Sequence, residues 1–322
     1  MDLNTLEQKV LQGKAITREE ALWLYHQPLD DLCAAADRLR QQFRGNAFDL
    51  CTIINAKSGL CPEDCRFCAQ SAHNRTGAEV YPLLSAETIL QEALKNQAQG
   101  VLRFSIVTSG KRLSQKEVEV LCRVIQRIRQ VCSISLCGSF GLLNQAQYAM
   151  LKEAGISRIH NNLETSRRNF PNICTTHTFD DKIAAIRAAQ AAGLTVCSGG
   201  IMGLGETEED RVDMALTLRE LGIKSVPLNL LNPIPGTPME GNKRLTSDDM
   251  RRIAAVYRFL LPDASIRLAG GRGLLPDKGA GCFRSGANAA ISGDMLTTAG
   301  ITVETDFALL DKLGYEVKLE HE

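Results

Sequence analysis

From Asp49 onward, short runs rich in apolar and β-branched residues alternate with longer stretches in which apolar positions recur every three or four residues. The first pattern is that of a strand and the second that of an amphipathic helix. Strands are predicted over residues 51–55, 102–108, 133–137, 158–163, 195–201, 225–230, 265–269 and 289–292. Helical patterns fall between them at 86–97, 114–131, 144–154, 180–192, 206–221, 247–261 and 279–286. Repeated β-then-α units imply a parallel sheet with right-handed crossovers. Eight of them predict an α/β fold, a closed or nearly closed (β/α)8 barrel of the TIM type. Residues 2 to about 45 have another texture. Thr17 before Arg18-Glu19-Glu20 is an N-cap with an acidic first turn, and apolar positions keep helical spacing from Leu22 to Leu39. An N-terminal helical cap over 1–45, closing the barrel bottom or packing on its side, is therefore expected before a barrel over 46–322. The segment Asn232-Pro-Ile-Pro-Gly-Thr-Pro238 is too short for a linker and is expected as a rigid loop at a strand's end.

Bulk properties narrow the partners. The 322 residues suit one barrel, which typically takes about 250. Lys plus Arg and Asp plus Glu both number 37, so no basic excess is available for nucleic acid or an anionic membrane. A small-molecule partner is expected. No apolar run reaches the roughly 18 residues of a membrane span, and Met1-Asp-Leu-Asn-Thr-Leu-Glu7 lacks the basic and apolar regions of a signal peptide. A cytoplasmic protein is expected. In that setting eleven cysteines argue for metal or redox use over disulfides. Cys33, Cys51 and Cys122 lie inside apolar patterns and are expected as small buried apolar residues.

The densest chemistry is Cys61-Pro-Glu-Asp-Cys65-Arg-Phe-Cys68-Ala-Gln-Ser71. A C-x3-C-x2-C loop can wrap one inorganic centre, and thiolate is the soft ligand that iron–sulfur clusters and zinc select. Three thiolates on a four-iron cube leave one iron open to substrate or cofactor. A structural zinc with His73 as fourth ligand is the plainer alternative. The loop's place favours the catalytic cluster, because it follows the first predicted strand, on the face where a barrel keeps its chemistry.

The longer string from Cys51 to Ser71, CTIINAKSGLCPEDCRFCAQS, is similar almost residue for residue to the biotin synthase family of radical S-adenosylmethionine (SAM) enzymes. Later motifs carry the likeness to Thr298. The resemblance implies that Cys61, Cys65 and Cys68 hold a four-iron four-sulfur cluster that binds SAM and splits it reductively. The 5′-deoxyadenosyl radical then takes hydrogen from dethiobiotin, and sulfur from an auxiliary iron–sulfur cluster closes the ring of biotin. It also implies an electron donor of flavodoxin or ferredoxin type and a homodimer. The alternative is a radical SAM barrel enzyme without sulfur insertion, of mutase or cluster-maturation type.

By the same resemblance Phe67 packs on the adenine of SAM. Gly199-Gly-Ile201-Met-Gly203-Leu-Gly-Glu206 matches the family's G-x-I-x-G-x-x-E signature and brings Ile201 and Gly203 to the nucleotide. Asn162 and Glu164 would hold its ribose or methionine, Asn162 also touching substrate, and Lys182 its carboxylate. His160 stands where the family usually has Asn, as an interior histidine or a ligand contact. Asn229 matches the amide that grips the ureido ring of dethiobiotin, to which it offers both a donor and an acceptor. Cys137, Cys197 and Arg267 match residues of the auxiliary cluster, although arginine is an unusual ligand because it stays protonated. The family's third auxiliary cysteine is replaced by Ser105. Hydroxyl is a hard donor, so Cys174 is expected to complete the set and the cluster to be two-iron or larger. Cys132, of opposite strand parity, and Cys282, in an outer helix, fit that role less well.

Overall fold

The computed structural model describes residues 2–319. Residue 1 and residues 320–322, at the ends of the two expected segments, lie outside them. Three helices come first, α1 (Leu3–Leu11), α2 (Arg18–Leu24) and α3 (Leu29–Arg44). Strands β1 (Ala47–Lys57), β2 (Arg103–Thr108), β3 (Ser135–Ser139), β4 (Arg158–His160), β5 (Thr195–Cys197), β6 (Gly200–Met202), β7 (Ser225–Leu230), β8 (Ser265–Leu268) and β9 (Ala289–Ser292) follow. Between them run α4 (Ala86–Ala98), α5 (Gln115–Val131), α6 (Gln145–Ala154), α7 (Phe179–Ala191), α8 (Glu208–Glu220), α9 (Ser247–Leu260) and the short α10 (Ala280–Phe283). All pairings are parallel, in the order β1-β2-β3-β4-β5-β7-β8-β9, and β9 returns to β1. This is the closed eight-position barrel expected from the sequence, with β6 continuing the β5 position alongside β7.

Side-chain caps set the helix starts. Ser114, Asn144, Thr178, Thr207 and Thr246 each close a capping box at the head of an outer helix. Each satisfies two otherwise unpaired backbone donors and turns the chain sharply out of the loop. The N-terminal helices pack on the barrel's side, α3 along α9 and α2 against α8 and α9.

Four local expectations change. The third strand begins at Ser135, because Cys132 ends α5 as its C-cap and the amides of Ser133 and Ile134 donate to Gln97 Oε1 at 2.7 and 3.1 Å. The fourth strand stops at His160, and the fifth breaks at Ser198 and Gly199. The break is crowded: a Cβ on Gly199 would stand 2.0 Å from the Pro227 carbonyl, and one on Gly200 would stand 2.4 Å from that of Glu164. Glycine at both positions lets the backbones approach this closely. Finally, α11 (Val303–Lys312) and β10 (Glu316–Val317) extend the fold, with β10 pairing parallel to the start of β1.

Strand parity decides what fills the barrel. Inward positions include Asp49, Cys51, Arg103, Ser105, Cys137, Arg158, Cys197, Ser225 and Arg267, all buried. A TIM barrel is ordinarily packed there with Val, Ile and Leu. This interior is polar and sulfur-bearing, while the large apolar core lies between the sheet and its outer helices. No helix among the described residues is long and apolar enough to cross a membrane.

Candidate active site

The loop leaving β1 carries Cys61, Cys65 and Cys68, all half-buried and free. Backbone bonds from Cys61 N to Gln70 O (3.0 Å) and from Ala72 N to Cys61 O (2.8 Å) clasp its base. Asn74 Nδ2 donates to the carbonyls of Cys65 (3.1 Å) and Cys68 (2.8 Å), which fixes the two thiols relative to each other. Burial pushes the Cys68 thiol up to about 11, with Cys61 and Glu164 adding to the rise. Cys65 is raised as well, first by its hydrogen bond with Cys174 and then by burial. A bound cation is what turns such thiols into thiolates, and a three-sulfur donor set suits iron–sulfur chemistry and not a hard cation. His73, the fourth ligand of the zinc alternative, is exposed with Nε2 3.0 Å from the Pro62 carbonyl oxygen.

The structure places Cys174 at this loop and not with Cys137 and Cys197. The segment after β4 folds back over residues 63–66, with Arg66 N donating to Ile173 O at 3.0 Å and Thr175 N to Asp64 Oδ1 at 2.8 Å. Cys174 Sγ lies 3.2 Å from His177 Nδ1 and 3.1 Å from Asp64 Oδ1. Cys65, Cys174 and His177 form one tight donor cluster, and His177 is itself hydrogen-bonded to Glu63. Bonding to Cys65, joined by His177, draws the Cys174 thiol down to about 4 against the effect of burial. Cys65 and Cys174 are hydrogen-bonded sulfur to sulfur, so a change at Cys174 reaches Cys65. Cys174→Ala should therefore leave auxiliary iron unchanged while moving the reduction potential of the four-iron cluster, because hydrogen bonds to ligand sulfur set that potential. Loss of such a partner costs about 10–100-fold in activity or metal affinity. Potentiometry with iron counts checks this, and a fall in auxiliary iron would return Cys174 to its expected role.

The exits of β4 and β5 face the loop. Glu164 has φ +69, in the left-handed region that non-glycine residues seldom occupy. It is held there by Glu164 N to Gly199 O (3.1 Å) and Ile201 N to Glu164 O (2.9 Å). Such strain gathers at ligand sites. Asn162 Nδ2 donates to Glu164 Oε2 at 3.3 Å, and its Oδ1 accepts from Gly199 N at 3.1 Å. Lys182 Nζ is 3.5 Å from Asn161 Oδ1 and its charge reaches Cys65. Phe67 and Ile201, distant in sequence, pack on one small apolar cluster with Ile173, Leu204, Leu231 and Met239. Gly203, at φ +103, donates its amide to Glu206 Oε1 at 2.8 Å, and Arg211 Nε donates to the same oxygen at 2.8 Å.

Asn229 on β7 spans two strands: Nδ2 donates to Gly200 O (3.1 Å) and Oδ1 accepts from Gly270 N (2.8 Å). One amide hydrogen and one lone pair stay available to a ligand. Nearby, a cavity of about 390 Å³ opens at the ends of β8 and β9, lined by Asn232, Ala269, Arg272 and Thr298 among others.

Below this mouth lie the interior sulfurs. Cys137 Sγ is 3.7 Å from Arg103 Nη1, and Cys197 Sγ accepts from Ser225 Oγ at 3.2 Å. Burial opposes ionisation of Cys197, but a hydrogen bond with His160 and the charges of His160, Arg267 and Arg158 outweigh it, bringing the thiol down to about 6. His160 thus sits against Cys197. Arg267 Nη1 donates to Asp49 O (2.9 Å) and Ala290 O (2.8 Å) and lies 3.3 Å from Cys51 Sγ. Asp49 also meets Arg103 Nε and Arg158 Nη1 at 3.3 Å each. Ser105 pairs directly with Cys137 across β2 and β3. Cys132, with Sγ 3.1 Å from Gln97 Oε1, and Cys282 lie in the apolar core together with Cys33 and Cys122. Cys51 is buried as expected but lies outside that apolar cluster, beside Arg267. Asp49 and Cys51 are both inward on β1, two residues apart, and period-two counting along that strand is the signal that could have found them.

Comparison with known proteins gives the site its context. The chain matches the Radical SAM superfamily model over residues 57–218 and the Biotin and Thiamin Synthesis associated domain over residues 227–316. It is 54% identical to a biotin synthase of Brachyspira hyodysenteriae, covering 100% of this chain and 97% of that protein. It is 56% identical to one of Akkermansia muciniphila, covering 98% and 99%. The chain belongs to the biotin synthase family. The methylornithine synthase structure superposes with a TM-score of 0.84 at 20% identity, over 98% of this chain and 97% of that one. The FeFe-hydrogenase maturase HydG from Carboxydothermus hydrogenoformans gives 0.82 at 16% identity, over 97% and 78%. Both likenesses concern the barrel. Residue 105, inward on β2, is a buried serine.

Proposed function

We propose that this protein converts dethiobiotin to biotin by radical SAM sulfur insertion. The observation that carries the reading is two sulfur-bearing sites along one barrel: three thiols on the loop after β1, and a second sulfur group with Arg267 in the interior beneath. When bound, the four-iron cluster with SAM supplies a 5′-deoxyadenosyl radical, and an auxiliary iron–sulfur cluster, two-iron or larger, supplies sulfur.

The chain's own residues position and exclude. Cys61, Cys65 and Cys68 hold the first cluster. Phe67 and Ile201 offer an apolar wall to an adenine, with the backbone of Gly203 beside it. Glu164 and Asn162 offer acceptors to ribose hydroxyls or an ammonium, and Lys182 offers a cation to a carboxylate. Asn229 offers its remaining donor and acceptor to the urea of dethiobiotin. Cys137, Cys197 and Arg267 take part in holding the auxiliary cluster. The enclosed interior keeps water and stray hydrogen donors from a reactive radical. A flavodoxin- or ferredoxin-type electron donor and a homodimeric state belong to the same reading.

The test is an anaerobic incubation of the reconstituted protein with reductant, SAM and dethiobiotin, followed by mass spectrometry. Biotin and 5′-deoxyadenosine are expected together. Deoxyadenosine without biotin would point to a radical SAM enzyme of another reaction, and neither product would remove radical chemistry from the account.

A further inference from the structure

Inward side chains of a TIM barrel form layers of four, each contributed by alternate strands. The sulfur-bearing interior positions can be placed in such layers directly from the strand registers.

Through Arg103, Cys51 on β1 is level with Ser135, two residues before Cys137 on β3. Through Arg158, Cys137 is level with Thr195, two residues before Cys197 on β5. Through Ser225, Cys197 is level with Ser265, two residues before Arg267 on β8. Through Ala289, Arg267 is level with Asp49, two residues before Cys51. The same two-residue step repeats at every second strand and closes on its starting point, which is the stagger of an eight-stranded barrel. Cys51, Cys137, Cys197 and Arg267 are therefore one complete layer, three thiols and a guanidinium facing a common axis. Ser105, on the intervening strand β2, belongs to the adjacent layer.

We propose that Cys51 is a thiolate ligand of the auxiliary iron–sulfur cluster, completing with Cys137 and Cys197 a three-thiol set whose fourth corner is Arg267. The inference rests on the sulfur-insertion reading and adds the ligand that reading lacked. Contacts agree with it. Cys51 Sγ is 3.3 Å from Arg267 Nη1. It is absent from the apolar core that takes in Cys33, Cys122, Cys132 and Cys282. The sulfurs of this layer have N–H or O–H groups against them: Arg267 at Cys51, Arg103 at Cys137 and Ser225 at Cys197. That is the surrounding anionic sulfur needs, since hydrogen bonds to ligand sulfur stabilise its charge. A soft thiolate at Cys51 also removes the need for the hard hydroxyl of Ser105 in the ligand set.

The test compares the parent protein with Cys51→Ala, Ser105→Ala and, as a control for loss of a buried thiol, Cys33→Ala. Each is reconstituted anaerobically and read by iron and sulfide counts and Mössbauer spectra. Expected is loss of the auxiliary-cluster iron and its spectral component in Cys51→Ala alone, with the component of the SAM-binding cluster still present in every variant. Auxiliary iron and spectrum at the parent's level in Cys51→Ala would overturn the assignment, as would their loss in Ser105→Ala with retention in Cys51→Ala. A parent that carries no iron beyond the SAM-binding cluster would instead overturn the sulfur-insertion reading itself.

Discussion

Cys65→Ala should abolish the reductive cleavage of SAM. Cys65 is the middle thiol of the loop and is tied through its carbonyl to Asn74, which also holds Cys68. Removing it leaves two sulfurs for a cube that already makes do with three, so the cluster is lost and not merely perturbed. The drop in 5′-deoxyadenosine formation should exceed the roughly 100-fold at the upper end of what losing a mere hydrogen-bond partner of a metal ligand causes. Iron and sulfide should fall by one four-iron cluster, while circular dichroism stays that of the folded barrel, because the thiol lies on the loop and outside the strands. A variant that keeps both its cluster iron and its deoxyadenosine output would take Cys65 out of the ligand set. Zinc in the anaerobically purified parent would take iron–sulfur chemistry away from the loop altogether.

The second large effect concerns stability. Asp49 is buried at the N-terminal half of β1 and is shared by Arg103, Arg158 and Arg267, with the Arg267 Nη2 to Oδ2 distance at 3.1 Å. Burial alone would raise its carboxyl, but the charges of Arg267, Arg103 and Arg158 outweigh this and hold it well below the usual carboxylate range. Asp49→Ala takes the common carboxylate from three buried cations. Breaking a buried pair in this way costs about 3–5 kcal/mol, which should appear as a large fall in unfolding temperature. The pH dependence follows from the sign of the shift. A carboxyl depressed in the folded state contributes stability that is present above its unfolded pKa, about 3.9, and is lost as pH falls toward the folded value. Asp49→Asn should therefore be less stable at neutral pH and show a flatter acid limb. An Asp49→Asn protein within about 0.5 kcal/mol of the parent, the range of ordinary surface changes, and with the same acid limb would refute the shared role of this carboxylate.

Asp49 and Cys51 also mark where reading along the chain gives out. The string from Cys51 to Ser71 is contiguous, and ligand spacing within one loop is a local property. Cys61, Cys65 and Cys68 were therefore legible without any knowledge of the fold. The same holds for the outer helices, whose caps and periodic apolar positions are short-range, and for the count of eight barrel positions. Asn229 and Glu164 were singled out by likeness to a family, and the structure adds the bonds that hold them.

What the chain by itself determined was the alternation of barrel strands with outer helices, the barrel class and the grouping of three thiols on one loop, because propensity, capping and residue spacing act within a few residues. Tertiary structure alone decided the rest. The need for glycine at 199 depends on a carbonyl of Pro227 in the neighbouring strand. The place of Cys174 depends on a loop folding back onto residues 63–66, and that of Cys51 on the stagger with which β9 returns to β1. Eleven thiols can be grouped in many ways on paper. Only closure of the sheet, which aligns inward positions of alternate strands in one layer, selects which of them meet.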